Sequence, residues 1–544
     1  MTGTTPTSQP SLTTTPGTHS DYSYDQVPYP NDPFPQSHPD RLATVATLFG
    51  MKPAPLDKCR VLELGSGRGA NITGIASSLP GAKCVGIELS KRQNDEAMQT
   101  AQAVGVKNLE LKHMSIADIA DDLGQFDYII AHGVFSWVPR AVQEKILEVC
   151  GKLLAPNGVA YISYNTYPGW HMRGMIRDMM NIHAGPFKDP VQRIQQSRAL
   201  LDFLAKQSRQ ESTPYGMFLK QELELLSKQT DNYLFHDHLE ENNHPMYFHE
   251  FVKMFAPKGL RFLGEADFVV MLPSSFSPEA QQTLRNIAPE QVQLEQYMDF
   301  LRNRMFRQTL LVRQDVRPNY QLTPEMVTQF RVSSPLKPEK PAPDLAPGAA
   351  EAFKAFDGRT LTSSDPIVKA AFLILSEKYP EALPFPELCI DARKRISEGA
   401  TPSDQQTKED QANLGKAILS AYATAFTAVV ELHVWGPQFV TEVSVKPTAL
   451  PLARYQATQG HRVANALHQS VTLSDFDRQL IQFVNGENTH AELIDHISDL
   501  VARGVLNMQI DGKPVTDKMM IRKALAPTLE QQLPKLAKAG LLIA

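Results

Sequence analysis

Short apolar segments alternate with helical stretches between Arg60 and Tyr164, and this alternation restricts the fold more than any other feature of the chain. The predicted strands are Arg60–Leu64, Lys83–Glu88, Leu109–His113, Phe126–Ala131 and Gly158–Tyr164. Regular alternation of strands and helices predicts a mainly parallel sheet with helices on both faces. Since ligands of such sheets bind at the carboxyl ends of the strands, we expect the site at that edge.

A glycine-rich turn follows the first predicted strand, in the segment VLELGSGRGAN that runs from Val61 to Asn71. Gly65 and Gly67 allow the backbone to turn tightly and to approach a ligand without a Cβ in the way. Glu88 ends the second predicted strand, where a carboxylate can accept two hydrogen bonds from a ribose diol. These positions together predict a site for a nucleoside-containing cofactor.

Two details of the turn favour S-adenosylmethionine over a dinucleotide. Glu63 stands two residues before the first glycine, where it can face the ammonium group of a ligand. Dinucleotide sites usually have an apolar residue there and the spacing GxGxxG, whereas this chain has GxGxG. A βα turn without any ligand is the alternative that the pattern favours less.

The chain of 544 residues is too long for a single hydrophobic core. We predict an α/β architecture in which a Rossmann-like sheet is followed by a mainly helical middle domain and by C-terminal helical and winged-helix-like domains. Asp511-Gly512 predicts the turn of a hairpin near the end of the chain. The predicted domains are a disordered N-terminus (1–20), the cofactor domain with an aromatic N-terminal arm (21–185), a helical regulatory or substrate-facing domain (186–320), a proline- and charge-rich linker (321–350), a small helical or winged-helix-like domain (351–452) and a C-terminal winged-helix-like domain (453–544).

Charge, hydropathy and cysteine spacing argue against several partners and locations. The formal net charge of -5 opposes a protein-wide attraction to nucleic acid, so we expect no such partner. The longest charge-free apolar stretch, Ala417–Val430, falls short of the roughly 20 residues that span a bilayer, so we expect no membrane insertion. The N-terminus lacks the basic and apolar regions of a secretory signal, and the four cysteines are scattered, which predicts a reducing cytoplasm.

The glycine-rich segment resembles motif I of class I S-adenosylmethionine-dependent methyltransferases, and the resemblance continues along the following strands. The segment HMSI matches the region that contacts the adenine amino group in that family, with Ser115 in place of the usual acid. FDYIIAHGVFSWVP resembles the family's segment beside the transferred methyl, which places His132 and Gly133 near the sulfonium. The resemblance implies a cofactor-binding set of Glu63, Gly65, Ser66, Gly67, Glu88, Leu89, Ser115, Ile116, His132 and Gly133.

A wider resemblance covers most of the chain. The arm YDQVPYPNDPFPQSHPDRLATVATLFG, the segment SYNTYPGW (Ser163–Trp170), YLFHDHLE and FRQTLL are similar to the bacterial methyltransferases that carry a methyltransferase regulatory domain. That family includes rickettsial-type enzymes that methylate lysines of outer-membrane proteins. The resemblance therefore implies a protein acceptor, such as an envelope protein, with a lysine amine as the preferred group. It leaves a homodimer open.

Methyl transfer to a lysine requires an aligned amine that has lost its proton. The candidate catalytic residues are His132, Tyr164, Asn165 and Trp170. The carbonyl oxygen of Asn165 can orient an amine, and an aromatic face such as that of Trp170 can hold it by a cation–π contact. The alternative is that Tyr164 to Trp170 forms a packed loop at the end of the last parallel strand.

Two further clusters have both a functional and a structural interpretation. The histidines His236, His238, His244 and His249 include the spacing HxH of some zinc sites, but no cysteine accompanies them. Because methylation of an amine needs no metal, we predict none and expect these residues to cap helices, pair with carboxylates or line the cleft. For the basic residues we favour structural salt bridges over phosphate contacts; they are Arg302, Arg304, Arg307, Arg313 and Arg317.

Two other functions stay open. A methyltransferase for a small molecule, such as a lipid or a secondary metabolite, would use the additional domains as a lid or a dimer interface. A DNA-binding regulator that only senses the cofactor would use the winged-helix-like module, although the acidic net charge counts against it.

Overall fold

The structure is a computed structural model that describes residue 27 and residues 31–207, 213–397, 402–424, 429–510, 513–515 and 517–544. Within these ranges the chain divides into two units. The smaller unit contains residues 27, 90–93 and 172–241, and the larger unit contains residues 31–89, 94–171 and 242–544. The predicted disorder of residues 1–20 and the arm aromatics Tyr22, Tyr24 and Tyr29 lie outside the described residues.

A seven-stranded mixed sheet belongs to the larger unit. Its strands are β1 (Arg60–Leu64), β2 (Lys83–Glu88), β3 (Leu109–His113), β4 (Phe126–Ala131), β5 (Leu154–Asn165), β6 (Leu260–Glu265) and β7 (Phe306–Arg313). Their order across the sheet is β3-β2-β1-β4-β5-β7-β6. Strands β1 to β5 run parallel, while β7 is antiparallel to both of its neighbours. The predicted Rossmann-like core is confirmed.

The parallel strands form because their apolar segments are buried on both faces of the sheet. Leu62 and Leu64 of β1 and Ile130 of β4 have no exposed surface. The predicted bounds of β1 to β4 agree with the structure, and β5 begins at Leu154 instead of Gly158. Parallel pairing brings the carboxyl ends of β1, β2, β4 and β5 to one edge, where the site was expected.

Strands β6 and β7 come from the segment 186–320, which was predicted to be a separate helical domain. Because β7 pairs with β5 and β6 pairs with β7, this segment completes the sheet. The structure therefore corrects the predicted boundary between residues 185 and 186. Residues 172–241 belong to the smaller unit, and residues 242–320 belong to the larger unit with the sheet.

Eighteen α-helices are present in the described part of the chain. They are α1 (Pro39–Leu48), α2 (Ala70–Ser78), α3 (Lys91–Val104), α4 (Arg140–Leu153), α5 (Gly169–Ala184), α6 (Pro190–Gln207), α7 (Pro214–Ser227), α8 (Asp231–Leu234), α9 (Phe248–Phe255), α10 (Pro278–Ile287), α11 (Gln291–Arg302), α12 (Pro366–Lys378), α13 (Phe385–Ile396), α14 (Asp404–Thr424), α15 (Pro451–Gln459), α16 (Asp475–Phe483), α17 (His490–Ala502) and α18 (Lys518–Lys538). None of those the structure describes combines the length and apolar character needed to cross a membrane.

The smaller unit is helical and has its own core. Ile176 and Met180 of α5 pack with Leu201 of α6 and Leu219 and Leu226 of α7. A π-helical segment follows α8 and ends at residue 239. These helices agree with the helical character predicted for this part of the chain.

The predicted linker 321–350 is folded in the structure. Phe330, Val332 and Leu336 are buried in the same hydrophobic core as the sheet. The short strands of this region are β8 (Arg331–Ser333), β9 (Lys337–Pro338), β10 (Glu351–Lys354), β11 (Thr360–Ser363), β12 (Leu383–Pro384) and β13 (Glu431–His433). β8 lies between β12 and β13, and β10 lies between β9 and β11. The prolines and charged residues predicted a linker, but the apolar residues between them pack into the core and fold the segment.

The C-terminal module, residues 446–544, has a separate hydrophobic core in which Leu480, Leu493 and Leu529 are buried. Its hairpins pair β14 (Arg462–Ala464) with β15 (Ser470–Thr472) and β16 (Gln509–Ile510) with β17 (Lys513–Pro514). The second is the predicted hairpin, whose turn residues Asp511 and Gly512 lie outside the described residues. Helices and hairpins together give the winged-helix-like character that was predicted.

Candidate cofactor and acceptor site

Three glycines shape the turn between β1 and α2. Gly65, Gly67 and Gly69 have φ values of 73°, 55° and 78°, in the left-handed region that other residues rarely adopt. Space is also restricted, since a Cβ at Gly65 would lie 2.6 Å from Cγ2 of Val134. The amide of Gly65 donates to the carbonyl oxygen of Ile87 at 2.8 Å, which ties the turn to β2. The turn therefore presents bare backbone where β1 ends.

Glu88 ends β2 beside this turn. Its Oε2 accepts a hydrogen bond of 2.8 Å from the backbone amide of Gly67. Leu89, the next residue, is 51% exposed. This hydrogen bond places the carboxylate of Glu88 directly against the glycine turn.

Glu63 is buried behind the turn, with 3% of its surface exposed. Its Oε1 accepts a hydrogen bond of 2.7 Å from Nδ2 of Asn71, and its Oε2 has no hydrogen-bond partner among the described residues. Burial raises the pKa of Glu63 to about 8, because desolvation penalises the carboxylate. These features fit a cationic ligand, since a nearby positive charge would favour the carboxylate form. The ammonium group of S-adenosylmethionine is such a cation.

Ser115 and Ile116 follow β3 at the same edge. The amide of Met114 donates to the carbonyl oxygen of Glu88 at 3.0 Å, which places this segment beside the end of β2. Ile116 is buried, and Oγ of Ser115 accepts a hydrogen bond of 3.2 Å from the amide of Ala117. A hydroxyl oxygen has two lone pairs, so this contact leaves Ser115 able to accept a bond from an adenine amino group.

His132 and Gly133 follow β4. Nδ1 of His132 lies 2.8 Å from the hydroxyl oxygen of Tyr161, and the amide of Gly133 donates to Oγ of Ser163 at 2.8 Å. Phe34 of the N-terminal arm packs on the imidazole, with 3.8 Å between ring centroids. Burial lowers the pKa of His132 to about 4, so its ring is neutral at pH 7.

The orientation of the side chains along β5 removes Tyr164 from the predicted site and places Tyr161 and Ser163 beside His132. Successive side chains of a strand point to opposite faces, so Tyr161 and Ser163 share the face toward His132, and Tyr164 lies on the other. There the ring of Tyr164 packs 4.3 Å from that of Phe251, and its hydroxyl is buried. Tyr164 is therefore a core residue, which corrects its predicted catalytic role. Counting alternate positions along β5 was the signal that could have identified Tyr161 and Ser163.

Asn165 and Trp170 lie at and just beyond the carboxyl end of β5, and both are almost fully buried. Nδ2 of Asn165 donates to Oδ1 of Asn243 at 3.0 Å. The indole of Trp170 packs edge-on against that of Trp137, with 6.2 Å between centroids. The segment is thus the packed loop that the alternative interpretation expected, and it also lies at the strand edge where ligands bind.

An aromatic patch, formed by Tyr167, His171, Tyr247, His249 and Phe300, flanks this strand end. The rings of Tyr167 and His171 stack 3.9 Å apart, and Tyr247 lies 5.3 Å from Tyr167 and 5.7 Å from His249. Phe300 is 46% exposed, so the patch faces solvent. Exposed aromatic faces attract cationic side chains.

Comparison with known proteins identifies the family. Residues 62–160 match a methyltransferase domain, residues 230–313 a "predicted methyltransferase regulatory domain", and residues 446–541 the "PKMT, C-terminal winged helix domain". The uncharacterized Rickettsia prowazekii protein RP789 is 36% identical over 535 residues, which cover 97% of this chain and 95% of that protein. The chain belongs to the class I S-adenosylmethionine-dependent methyltransferases that carry a methyltransferase regulatory domain.

Two further relatives align with this methyltransferase. A second Rickettsia prowazekii protein, RP028, is 43% identical over 241 residues, which cover 44% of this chain and 96% of that protein. The solved structure of PKMT2 from Rickettsia typhi in complex with AdoHcy matches at a TM-score of 0.84 with 29% identity, covering 95% of this chain and 100% of that one. The predictions of fold class, enzyme class and cofactor are confirmed.

The predicted histidine cluster is divided in the methyltransferase. His236 and His238 belong to the smaller unit, whereas His244 and His249 belong to the larger one. Nδ1 of His236 lies 2.8 Å from Oε1 of Glu240, which is the carboxylate pairing that was expected. In the part of the chain that the structure describes, no group of three or more potential ligand side chains is arranged to hold a metal ion.

The predicted structural role of the basic residues is confirmed at Arg307. This guanidinium is fully buried and contacts Glu265, Glu295 and Asp299, at 2.7, 3.1 and 2.8 Å. Arg304 adds a second cation, 2.7 Å from Oε2 of Glu265. The two arginines thus lie among three buried carboxylates, and burial raises the pKa of one of them, Glu295, to about 7.

Proposed function

We propose that this methyltransferase transfers a methyl group from S-adenosylmethionine to a protein, with the side-chain amine of lysine as the acceptor. The match to PKMT2 of Rickettsia typhi along 95% of the chain carries the proposal. The C-terminal module matches a winged helix domain named for the same PKMT class, and the sequence resembles rickettsial-type enzymes that methylate lysines. An envelope protein is the acceptor we expect, because the sequence resembles enzymes that modify outer-membrane proteins.

We assign the cofactor contacts to the turn and to the strand ends around it. The carboxylate of Glu63 would face the ammonium group, and Glu88 would accept hydrogen bonds from the ribose. The bare backbone at Gly65 would allow close approach of the ligand. The complete proposed set is Glu63, Gly65, Ser66, Gly67, Glu88, Leu89, Ser115, Ile116, His132 and Gly133.

The reaction is an in-line displacement in which the amine lone pair forms the N–C bond as the S–C bond breaks, with the cofactor supplying an electrophilic methyl group. His132 is neutral at pH 7 and is held by Tyr161, so it does not repel the sulfonium. A base with a pKa of about 4 removes a proton from an ammonium group poorly. Loss of that proton therefore depends on burial of the amine, which lowers its pKa.

Two features support recognition of an amine in particular. The carbonyl oxygen of Asn165 can accept a hydrogen bond from the amine and so direct its lone pair. The aromatic patch around Tyr167 and Tyr247 can hold a cationic side chain beside the end of β5. Trp170 stays in the proposed acceptor site as an apolar wall, since its indole is packed against Trp137.

Mass spectrometry of an envelope protein extract, after incubation with the methyltransferase and methyl-labelled cofactor, tests the proposal. We expect labelled methyl groups on lysine side chains, and no label with the Glu88→Ala variant, whose ribose contact is lost. Label on other side chains would keep the protein acceptor and reject lysine. Label in small metabolites alone would reject the protein acceptor.

Two predictions about the setting of the enzyme accompany this proposal. A cytoplasmic location is supported by the four cysteines, which are free and buried. A homodimer also stays a prediction, for which sedimentation of the purified protein is the direct measurement.

A further inference from the structure

Asn71 of α2 joins three parts of the larger unit. Its Nδ2 donates to Oε1 of Glu63 at 2.7 Å, and its Oδ1 accepts from the backbone amide of Phe34 at 2.9 Å. Oγ of Ser37 lies 3.1 Å from Nδ2 and 3.4 Å from Oδ1, and Nε2 of His468 in the C-terminal module lies 2.8 Å from the same Oδ1. Asn71 and His468 are both almost completely buried. One carboxamide thus links the acid of the cofactor turn to the N-terminal arm and to the C-terminal module.

The direction of these hydrogen bonds follows from their chemistry. An amide oxygen carries no proton, so Oδ1 of Asn71 accepts hydrogen bonds from the Phe34 amide and from His468. Nε2 of His468 is therefore a donor. Burial lowers the pKa of His468 well below its usual value, which keeps the ring neutral. Because Oδ1 accepts short hydrogen bonds from the Phe34 amide and from His468, and a longer one of 3.4 Å from Oγ of Ser37, Nδ2 faces Glu63. His468 therefore helps to determine which end of the carboxamide meets the carboxyl group.

His468 lies in the turn of the β14–β15 hairpin, in a backbone conformation that non-glycine residues rarely adopt. Its φ value is 58°, in the left-handed region. The turn is built around Asn465, whose Oδ1 accepts from the amides of Leu467 and Gln469 at 3.0 and 2.8 Å. Such a conformation persists where its surroundings determine it fully, and here they aim the ring at α2.

Helix α2 has a matching space for this ring. Gly74 lies one turn beyond Asn71, and a Cβ there would approach Cε1 of His468 to 2.8 Å. At the base of the hairpin, Arg462 forms an ion pair of 3.0 Å with Asp32 of the N-terminal arm. Oγ of Ser470 also donates to Asp32 at 3.1 Å, and the ring of His468 lies 5.0 Å from that of His38. Of these contacts, the one with Asn71 leads to Glu63.

We propose that His468 is a positioning residue of the cofactor site: it orients the carboxamide of Asn71, which in turn orients Glu63 for S-adenosylmethionine. The inference rests on the proposed assignment of Glu63 to the cofactor site. Docking of the hairpin then favours cofactor binding, and by linkage the bound cofactor stabilises the docked hairpin to the same extent. The C-terminal module thereby affects the first step of the reaction.

Calorimetric titration of the full-length protein with S-adenosylhomocysteine tests this role without requiring an acceptor. His468→Gly removes the ring and relieves the left-handed strain. We expect about tenfold weaker binding, because the buried Oδ1 of Asn71 loses its shortest hydrogen bond and the carboxamide is held less firmly toward Glu63. His468→Gln keeps an N–H donor of similar reach and is expected to recover most of the affinity. Arg462→Ala is the matched control in the same hairpin, and its affinity is expected to stay within about twofold of the wild type.

Several outcomes would overturn the proposal. A folded His468→Gly protein with wild-type affinity would do so, as would a folded His468→Gln protein that binds as weakly as His468→Gly. An equal loss in Arg462→Ala would assign the effect to docking of the hairpin in general. Glu88→Ala and Glu63→Gln separate the two claims: if they weaken binding and His468→Gly does not, the cofactor site stands and the positioning role fails.

Discussion

At the scale of single residues, the cofactor turn was predictable because its geometry is local. The positions of Glu63 and Gly65 follow from the spacing within one strand and one turn. Asn71 was not predicted as a site residue, because two of its partners, Phe34 and His468, lie far away in the sequence. Tyr164 is a candidate on the sequence because it stands at the end of the last parallel strand, but a shift of one residue along a strand reverses the face on which a side chain lies. Once Ser163 is known to face Gly133, the alternation of side chains along the strand places Tyr164 on the opposite face.

Replacement of Glu63 by glutamine should change how stability depends on pH in the cofactor-free protein. The pKa of Glu63 is raised by burial from its usual value of 4.5 to about 8, so the folded state holds a proton that the unfolded state releases. The proton bound by Glu63 in the folded state therefore contributes to the free energy of unfolding. This contribution is complete below the pKa of the unfolded state and is lost as pH rises through the folded-state pKa of about 8. We expect the stability of Glu63→Gln to increase relative to the wild type by about 1 to 3 kcal/mol between pH 5 and pH 8.

Urea denaturation of both proteins across this range measures the difference. The side-chain amide oxygen introduced by Glu63→Gln can still accept from Asn71, so the hydrogen bond seen at 2.7 Å is kept in the variant. A difference between the two proteins that does not vary with pH would contradict the prediction.

At the scale of elements, the five parallel strands were predictable and the two strands that complete the sheet were not. Strands β1, β2, β4 and β5 are mainly apolar, and all five parallel strands alternate with helices along the chain. β7 instead contains Arg307 at a fully buried position, which interrupts its apolar pattern. The pairing of β7 with β5 joins segments that are separated in the sequence by residues 172–241 of the smaller unit. The local sequence pattern of β7 does not indicate that β5 is the strand with which it pairs.

The buried cations behind β7 should be essential for stability. Arg307→Met removes the charge that faces Glu265, Glu295 and Asp299, and leaves these carboxylates with too little compensation. Loss of one partner from a buried ion pair typically costs about 3 to 5 kcal/mol, so we expect a loss of this size in urea denaturation. The control is Arg313→Ala on the same strand, where the salt bridge is exposed to solvent and the expected loss is below about 1 kcal/mol. Similar losses in the two variants would contradict this view of the cluster.

At the scale of the whole molecule, contacts across hundreds of residues hold the larger unit together. Asp40 of α1 accepts hydrogen bonds of 2.9 Å from the backbone amides of Val434 and Trp435, and its other carboxylate oxygen lies 2.7 Å from Nδ1 of His433. Domain boundaries were harder to predict than the strands of the sheet for this reason. The amino-acid composition predicts separate segments along the chain, whereas buried contacts such as those of Asp40 join segments that are far apart in the sequence.

The contact between α1 and β13 should give the enzyme a dependence of stability on pH. Burial alone would lower the pKa of His433, but Asp40 and Glu431 outweigh it and raise the pKa to about 9. The folded state therefore binds the proton more tightly than the unfolded state, and the resulting stability is complete below about pH 6.5 and is lost as pH rises through 9.

His433→Gln removes this titration, so the stability difference between wild type and variant should narrow by about 2 to 3 kcal/mol from pH 6 to pH 9. His461→Gln is the matched control, because His461 lies 3.6 Å from Asp475 in a largely exposed pair. For that variant we expect a change of less than about 1 kcal/mol at every pH. Denaturation midpoints in urea at several pH values measure both differences. A constant difference for His433→Gln would mean that the pair with Asp40 holds α1 and β13 together without a net charge on the imidazole.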